Sequence, residues 1–479
     1  MIINYSNKIN AIILLIFIFT QNAFAKTYHY EVSIPDDLKQ LTVKICFDKQ
    51  LPLHTVKFHS IGEQASNRIS TIVVQGLDKS RTINNDGDYI ILKNIVKGDC
   101  LEYKTAIESV DIHRLIRIPA TQKIITDPNE WLWYPDTFSK KDKIDIEFNH
   151  SSSINISAPW TLISRAITKT KYQFLKYPEE WDSIIAFGYF NVEDIKLGKS
   201  VIRYALLNGS NKLDKGKIRD WVEQNINALT TIYGEFPVLS LQLLVVPLGK
   251  GGEPVPWGEV KRGGGPAVHL YIDETRTKQE FMDDWVFSHE LSHLLHPRIR
   301  RASAWLYEGL ASYYQNVVRA RQGLLTPNQA WQKLHSGFER GINKTPKNKT
   351  LSEVTKNVMK NRAFMRVYWS GAAISLIADV KLRQLSHNKK SLDTILHQFK
   401  KCCLSDIRWW TAIEVMKKFD ALSNTTVFTD VYNQNVFATK FPDLTGTYKI
   451  LGLIKKNKKL QILDSAPSSS RNKIMTRLK

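Results

Sequence analysis

Two histidines four positions apart, with a glutamate directly after the first, stand in the stretch FSHELSHLLHP at residues 287–297. On a helix, residues four apart lie one above the other, so His289 and His293 would present their imidazoles to one point in space. Glu290 is rotated by about 100° from His289 and would lie beside a bound ion. Two neutral imidazoles suit zinc, and the adjacent carboxylate can take a proton from water on the metal. The spacing predicts a catalytic zinc site; the alternative is a helix whose histidines meet ordinary core partners.

A catalytic zinc needs a third protein ligand, and the sequence offers one downstream. Residues 304–315, AWLYEGLASYYQ, form an apolar and aromatic helical stretch with a single carboxylate, Glu308. Burying that charge unpaired is costly, so the carboxylate must meet a cation. Zinc can supply it; the alternative is an ion pair with a nearby arginine, Arg298, Arg300 or Arg301. His296 could compete as a ligand, but we place it at the helix end, near the site.

The element that carries the histidines is predicted as a helix over residues 280–296, which contain neither Gly nor Pro and stop before Pro297. Two strands are predicted ahead of it, LSLQLLVVP at 239–247 and AVHLYID at 267–273, and a glycine-rich loop at 249–266 joins them. After the histidines the pattern is mostly helical.

The N-terminal part follows a different period. Apolar side chains alternate with polar ones in stretches such as TYHYEVSIP, LTVKICF and KIDIEF, which predicts a β-sandwich-like domain. The final segment, 464–479, is predicted as a loose tail. The predicted parts are a signal peptide at 1–25, a β-rich domain at 26–197, a catalytic domain at 198–400, and a helical C-terminal region with the tail at 401–479.

The first 25 residues are typical of a cleaved secretory signal, with one lysine, an apolar run of nine residues and small residues at Ala23 and Ala25. Nine apolar residues are too few to span a bilayer, so we expect no transmembrane segment after cleavage. The protein is therefore expected to be exported, periplasmic or secreted, with its cysteines in an oxidising compartment. Cys46 and Cys100 could pair, and the pairing of the adjacent Cys402 and Cys403 stays open.

Composition excludes a wholly disordered chain, because 43% of the residues are hydrophobic. The net charge of +21 would suit anionic envelope polymers, whereas the alternative is a solvated lysine-rich surface. An exported protein meets little nucleic acid, so no nucleic-acid partner is expected.

The order of these motifs resembles the gluzincin metallopeptidases, and within them the glycyl aminopeptidase family. HELSH, then PRIRR, then WLYEGLASYY is similar to that family's zinc helix, basic connector and glutamate helix. The segment VYWSGAAISLIADVKLR at 367–383 is similar to its tyrosine-containing segment. The alanyl and leukotriene-hydrolase type aminopeptidases are more distant relatives. The resemblance covers residues 200–455 approximately and implies a thermolysin-like α+β catalytic domain.

By that resemblance His289, His293 and Glu308 would bind one zinc ion and Glu290 would be the general base. Tyr368 would donate a hydrogen bond to the oxyanion. The implied activity is hydrolysis of peptide bonds by zinc-activated water, and the substrate, a peptide or protein, would lie along the AVHLYID strand.

Three departures from the family pattern concern substrate choice and architecture. Only 14 residues separate His293 from Glu308, and no PDZ-like domain has an obvious place. Ala267, in GGPAVH, stands where the family glutamate grips the substrate's amine, and the substitutes are Glu253, Glu259 and Glu274. Aminopeptidase and endopeptidase activity both stay open. The alternative from another class is a catalytically inactive, peptidase-like protein that binds anionic envelope components.

Overall fold

The computed structural model describes residues 26–47, 56–59, 62, 65–76, 79–108, 123–136, 138, 141–174, 183–405, 408–456, 459–463 and 469–477. The predicted signal peptide, residues 1–25, lies outside the described residues. In the part of the chain that is described, no helix combines the length and the apolar character needed to cross a membrane.

The N-terminal region is built from short strands that alternate buried and exposed side chains. In chain order they are β1 (Thr27–Ser33), β2 (Gln40–Cys46), β3 (Val56–His59), β4 (Ile69–Gln75), β5 (Ser80–Ile83), β6 (Asn85–Asp86), β7 (Tyr89–Leu92), β8 (Cys100–Ala106), β9 (Lys123–Thr126), β10 (Tyr134–Pro135), β11 (Lys143–Asn149), β12 (Asn155–Ser157), β13 (Thr161–Arg165), β14 (Lys169–Phe174) and β15 (Ile185–Gly188). A short helix, α1 (Ala65–Arg68), precedes β4.

These strands form three sheets rather than the two of a simple sandwich. An eight-stranded sheet has the order β13-β14-β11-β1-β2-β8-β4-β5, and smaller sheets have the orders β10-β3-β7-β6 and β12-β15-β9. A shared apolar core joins them. The Cys46–Cys100 disulfide links the facing ends of β2 and β8.

The second region is a five-stranded sheet followed by helices. The strands are β16 (Asn191–Leu197), β17 (Ser200–Leu206), β18 (Ser240–Pro247), β19 (Trp257–Lys261) and β20 (Ala267–Ile272), in the spatial order β16-β17-β18-β20-β19. The inner three run parallel, and the two outer strands run antiparallel to their neighbours. Because β16 and β17 form one hairpin, the predicted boundary between residues 197 and 198 falls inside this sheet.

Helices cover one face of that sheet, and the three-stranded N-terminal sheet packs on the other. They are α2 (Lys215–Thr230), α3 (Lys278–Asp283), α4 (Val286–Ser292), α5 (Ala304–Gln322), α6 (Pro327–Asn343), α7 (Leu351–Lys356), α8 (Val358–Asn361), α9 (Phe364–Leu385), α10 (Leu392–Cys403), α11 (Ala412–Ser423), α12 (Val427–Val436), α13 (Thr445–Leu451) and α14 (Ser469–Met475). A hairpin of β21 (Leu453–Lys456) and β22 (Lys459–Ile462) precedes α14. Cys402 and Cys403, at the end of α10, are bonded to each other.

Two predictions about loops are wrong in part. The segment 249–266 contains a strand, β19, because Trp257–Lys261 pairs with β20 in register. The final segment is a packed helix over Ser469–Met475, with Ile474 and Met475 buried and the Ile474 carbonyl accepting a hydrogen bond from Arg321. Two apolar side chains and hydrogen bonds to distant segments, such as that of Arg471 with the Leu451 carbonyl, hold this helix, and such contacts leave no periodic pattern in so short a stretch.

Helices α5 and α9 approach closely because glycines face each other where they cross. A Cβ atom added at Gly371 would overlap the carbonyl oxygen of Trp305, and one at Gly309 would overlap the Gly371 backbone. The same two helices carry Glu308 and Tyr368, so this approach fixes how far apart those side chains lie.

Replacing Gly371 with alanine should therefore lower the free energy of unfolding by about 1–3 kcal/mol, the usual cost of overpacking. The measurement is thermal or denaturant unfolding of the purified chain. Gly446→Ala is the matched control, since Gly446 lies in α13 with no atom within 4 Å of the added Cβ. The control should be neutral or slightly stabilising; equal destabilisation by both changes would contradict this account.

Candidate active site

The predicted helix over 280–296 is interrupted ahead of the first histidine. Asp284 has an extended backbone, φ −68° and ψ 147°, and its carboxylate accepts a hydrogen bond from the Val286 N–H at 2.8 Å. Such a bond from a side chain to the backbone competes with the helix and starts a new one. His289 lies in α4, and His293 follows in a 3-10 turn, His293–Leu295, that keeps a right-handed helical backbone. The two imidazoles therefore still face the same way.

The structure brings His289, His293 and Glu308 together as a group of three donors able to hold one metal ion. Glu308 Oε2 lies 3.2 Å from His289 Nε2 and 3.6 Å from His293 Nε2. Tetrahedral zinc with bonds of about 2.0–2.1 Å requires donor atoms about 3.3–3.4 Å apart, so the spacing fits zinc. Burial lowers the pKa of His289, but the hydrogen bond with Glu308, the charges of Glu290 and Glu308 and the hydrogen bond with Gln315 together outweigh it and raise that pKa above its usual value. A metal cation between the two imidazoles and Glu308 would take the place of the proton that the Glu308 carboxylate attracts to His289.

A chain of hydrogen bonds fixes which nitrogen of His293 can bind a metal. The Pro297 carbonyl can only accept, so His296 Nδ1 donates to it at 2.8 Å and its Nε2 becomes an acceptor. His293 Nδ1 then donates to His296 Nε2 at 3.0 Å, which leaves His293 Nε2 with its lone pair toward Glu308. Burial lowers the pKa of both imidazoles well below the usual value, so both remain neutral. His296 thus orients a ligand instead of competing with it.

Gln315 orients the other histidine and was missed by the sequence reasoning. Its side-chain Oε1 lies 2.8 Å from His289 Nδ1 and accepts a hydrogen bond from the N–H there, so His289 Nε2 is the nitrogen that faces the cluster. The spacing could have revealed it, since Gln315 follows Glu308 by seven residues, two turns along the same face of α5.

Glu290 borders the cluster from the side of the edge strand. Burial raises the pKa of its carboxyl to about 7, and the carboxylates of Glu308 and Glu259 add to this while His289 opposes it. Only a glycine fits opposite Glu290, because a Cβ at Gly258 would lie 2.7 Å from Glu290 Cγ. The strand and the helix therefore approach closely enough to form one wall of a narrow site.

Two tyrosines also face the cluster. Tyr368 stacks its ring parallel to that of His289, with centroids 6.0 Å apart, and its hydroxyl is hydrogen-bonded to Glu308. Burial, followed by the Glu308 charge, raises the Tyr368 pKa far above its usual value, so the phenol keeps its proton. Tyr307, which the sequence reasoning did not single out, contacts His293 and His296 with ring centroids 6.0 Å away.

A cleft of about 840 Å³ lies beneath the edge strand β19. The three residues of the cluster line it together with His296, Glu290 and the two tyrosines. The prediction that the substrate lies along AVHLYID, which is β20, is wrong, because β20 is hydrogen-bonded on both sides, to β18 and to β19. Within the described residues β19 is the outer strand of this sheet and the one that borders the cleft. Ala267 lies buried at the start of β20, so it cannot touch a substrate in the cleft.

Of the three glutamates proposed as substitutes for an amine anchor, only Glu259 borders the cleft. Glu274 is buried and accepts hydrogen bonds from the Ser210 and Gly249 N–H groups at 3.1 and 2.8 Å. Glu253 is exposed in the loop before β19 and does not line the cleft. Because burial and these two hydrogen bonds hold the Glu274 carboxylate inside the protein, it does not contact a substrate in the cleft.

Replacing Gln315 with alanine should weaken zinc binding about 10- to 100-fold, because His289 would lose the bond that selects its tautomer. Competition of the purified chain with a coloured chelator measures this. Gln322→Ala is the matched control, since Gln322 lies on the same helix but hydrogen-bonds Gln224 instead. Equal zinc affinity in both variants would show that Gln315 does not orient the ligand.

Comparisons with known proteins agree with this geometry. Residues 295–374 match the M61 glycyl aminopeptidase family. The fold is similar to that of an aminopeptidase N family protein from Idiomarina loihiensis, with a TM-score of 0.64 and 13% identity over 89% of this chain and 78% of that one. It is also similar to an M1 zinc metallopeptidase from Deinococcus radiodurans, with a TM-score of 0.50 and 14% identity over 88% of this chain and 94% of that one.

A mutant of a Deinococcus radiodurans M1 zinc metallopeptidase, bound to a Tyr-Ser-Ala substrate, matches with a TM-score of 0.50 and 13% identity over 88% of this chain and 95% of that one. No curated protein matches the sequence. The matched segment begins at the end of the 3-10 turn His293–Leu295 and includes Glu308 and Tyr368. A segment that matches the glycyl aminopeptidase family thus lies in a chain with a multidomain, aminopeptidase-like fold, and with the His-His-Glu cluster these findings support a zinc metallopeptidase that is similar to the gluzincin aminopeptidases.

Proposed function

We propose that the chain is an exported metallopeptidase that holds one zinc ion on His289, His293 and Glu308 and hydrolyses peptide bonds. The observation that carries the proposal is the donor geometry of the cluster, 3.2 and 3.6 Å from Glu308 to the two imidazoles, at the floor of an open cleft. When bound, zinc would polarise the scissile carbonyl and lower the pKa of the attacking water.

Glu290 is the general base of this proposal. Its carboxyl, with a pKa of about 7, can hold a proton taken from water and release it to the nitrogen of the leaving amine. Tyr368 donates its hydroxyl hydrogen to the oxyanion that develops on the scissile carbonyl. The phenol is suited to this role because burial and Glu308 keep it protonated.

The substrate would be held as an extra strand on β19. Its backbone groups can pair with an outer strand, and Gly258 leaves room for the chain over Glu290. The exposed rings of Trp257 and Trp285 flank this path and offer apolar surface to the substrate side chains.

Export is supported by the composition of residues 1–25 and by the cysteines. All four cysteines are in disulfides, Cys46–Cys100 and Cys402–Cys403, which is typical of an oxidising compartment.

The second candidate function, an inactive protein that binds anionic envelope polymers, is favoured by the net charge of +21. This second function predicts that the binding of anionic polymers survives changes at Glu290.

Replacing Glu290 with glutamine should leave zinc content at one ion per chain but lower kcat/KM by about 10²–10⁴, because the base is lost and the ligands remain. Elemental analysis and a screen of blocked peptides beside amino-acid arylamides measure the two quantities. Glu223→Gln is the control with unchanged activity, since Glu223 lies on α2, pairs with Arg219 and does not line the cleft. His293→Ala should lose both zinc and activity; wild-type turnover by the Glu290 variant would reject the assignment.

Replacing Tyr368 with phenylalanine should lower kcat by about 10²–10³ with little change in KM, because the hydroxyl acts only as charge develops. Steady-state kinetics of the variant against the wild-type chain measure this. Tyr307→Phe is the informative comparison, since Tyr307 lines the opposite side of the cluster. A larger loss at Tyr307 would move the oxyanion role to that residue.

A further inference from the structure

The charges along the cleft are divided unequally between its two ends. Apart from the zinc cluster and Glu290, the charged residues that line it are one glutamate and three arginines, Glu259, Arg262, Arg298 and Arg301. Arg262 contacts Arg298, and Arg298 and Arg301 lie on the connector 297–301 that follows α4 and its turn (the zinc helix), so the arginines mark the part of the cleft beside this connector. We call this the arginine end.

Hydrogen bonds hold two of the arginines in place. The Arg262 guanidinium donates to the carbonyl oxygens of His293 and His296 at 2.5 and 2.9 Å. Arg298 donates to the Arg262 carbonyl at 2.5 Å, and its guanidinium lies 5.8 Å from the centroid of the exposed Trp409 ring. Burial, and then the neighbouring Arg298 charge, lower the pKa of Arg262 to about 10, which shows how close the two like charges are.

Arg301 is the third arginine that lines the cleft. It is exposed in the 3-10 turn Arg301–Ser303 that leads into α5, and its charge reaches Tyr307 beside the cluster. Unlike the other two, its guanidinium can move to meet a ligand without disturbing the zinc helix.

Glu259 does not balance this charge. Glu259 is one of the residues around the cleft, but its side chain alternates with Gly258 along β19 and leaves the strand on the face that carries His269 and Tyr271. There the Glu259 carboxylate lies 3.5 Å from His269 Nδ1 and from the Tyr271 hydroxyl, and 3.6 Å from Lys261 Nζ. An α-ammonium group would have to compete with Lys261 for this carboxylate.

The direction of β19 decides which part of a substrate meets the arginine end. The strand runs from Trp257 to Lys261, and Arg262 follows directly. A substrate strand paired antiparallel with β19 would therefore place the residues before its scissile bond at the arginine end. A free amino terminus would meet like charge at that point, whereas a carboxylate would meet Arg298 and Arg301.

We propose that Arg298 and Arg301 bind a substrate carboxylate, so that the cleft selects peptides with an acidic side chain before the scissile bond and disfavours free amino termini. This inference rests on the proposed peptidase function. The same carboxylate chemistry is offered by a peptide's C-terminus, which would reach the arginine end only if the substrate ran parallel to β19.

Binding is measured first, on the zinc-loaded full chain carrying Glu290→Gln, so that no turnover is needed. The probes are peptides acetylated and amidated at their ends and identical except for Glu, Gln or Lys before the central bond. A fourth has Gln there and a free C-terminal carboxylate, and a fifth has Gln and a free amine. We expect the Glu peptide to bind at least about tenfold more tightly than the Lys peptide at low salt.

Charge reversal at Arg301 tests whether that site is responsible. Arg301→Glu should remove or invert the preference for Glu over Lys, whereas Arg300→Glu should keep it within about twofold. Arg300 is the matched control because it is the adjacent exposed arginine and does not line the cleft. Equal effects of the two reversals, or equal or tighter binding of the Lys or free-amine peptide, would overturn the inference.

The remaining outcomes separate the inference from the function on which it rests. Tighter binding of the free C-terminal carboxylate alone would support carboxylate recognition and reverse the direction of the substrate. The wild-type chain is then given the same peptides, with products identified by mass spectrometry. Acid-selective binding without any cleavage would reject the peptidase and retain the carboxylate site; cleavage without acid preference would reject only the site.

Discussion

The site depends on two helices meeting closely enough for two imidazoles and one carboxylate to share a single ion. His289 and His293 come from the zinc helix and its following turn, and Glu308 comes from α5. The carboxylate is mostly buried beside Glu290, so the pair carries like charge in a poorly solvated place. A divalent cation between the ligands relieves that repulsion, which ties metal binding to the folding of this region.

Close approach of backbones produces that meeting. Gly309 and Gly371 let α5 lie against α9, which carries Tyr368, and Gly258 lets β19 lie against the zinc helix. The absence of a side chain at three positions therefore brings base, ligand and phenol to one wall of the cleft. A larger residue at any of these positions would push the facing atoms apart, because an added Cβ would lie only 1.7–2.7 Å from them.

The electrostatics of the cleft follow from the same geometry. The connector between the helices that carry His289 and Glu308 is short and basic, so Arg298 and Arg301 lie near the candidate metal cluster. Arg262 joins them because it hydrogen-bonds the carbonyl groups at the end of the zinc helix. A connector needed for ligand spacing thus also supplies a surface for an anionic group.

Local pattern was sufficient to predict much of the site. Imidazoles four apart stay on one face even though Asp284 breaks the predicted helix, because the break comes before His289. Glu308 stood out as a lone carboxylate in an apolar helix, and the structure places it between both histidines. Period-two alternation predicted β1 and β2 because each strand has one buried face.

Pattern failed where contacts between distant segments decide the outcome. The strand β19 is short and interrupted by glycine, and it exists because β20 offers it hydrogen-bond partners. Its position in turn excludes Ala267 from the substrate path. The roles of Gln315 and His296 depend on which ring nitrogen each contacts, at 2.8 and 3.0 Å.

The sequence by itself determined that His289 and His293 share one helix face, because helical spacing is a local property that a chain keeps wherever it folds, and it singled out Glu308 as the third member of the candidate cluster. Only the tertiary structure decided which strand borders the cleft, which glutamate reaches it and where the arginines gather. Strand order, sheet face and side-chain direction arise from pairings between segments far apart in the chain, and no local spacing encodes them.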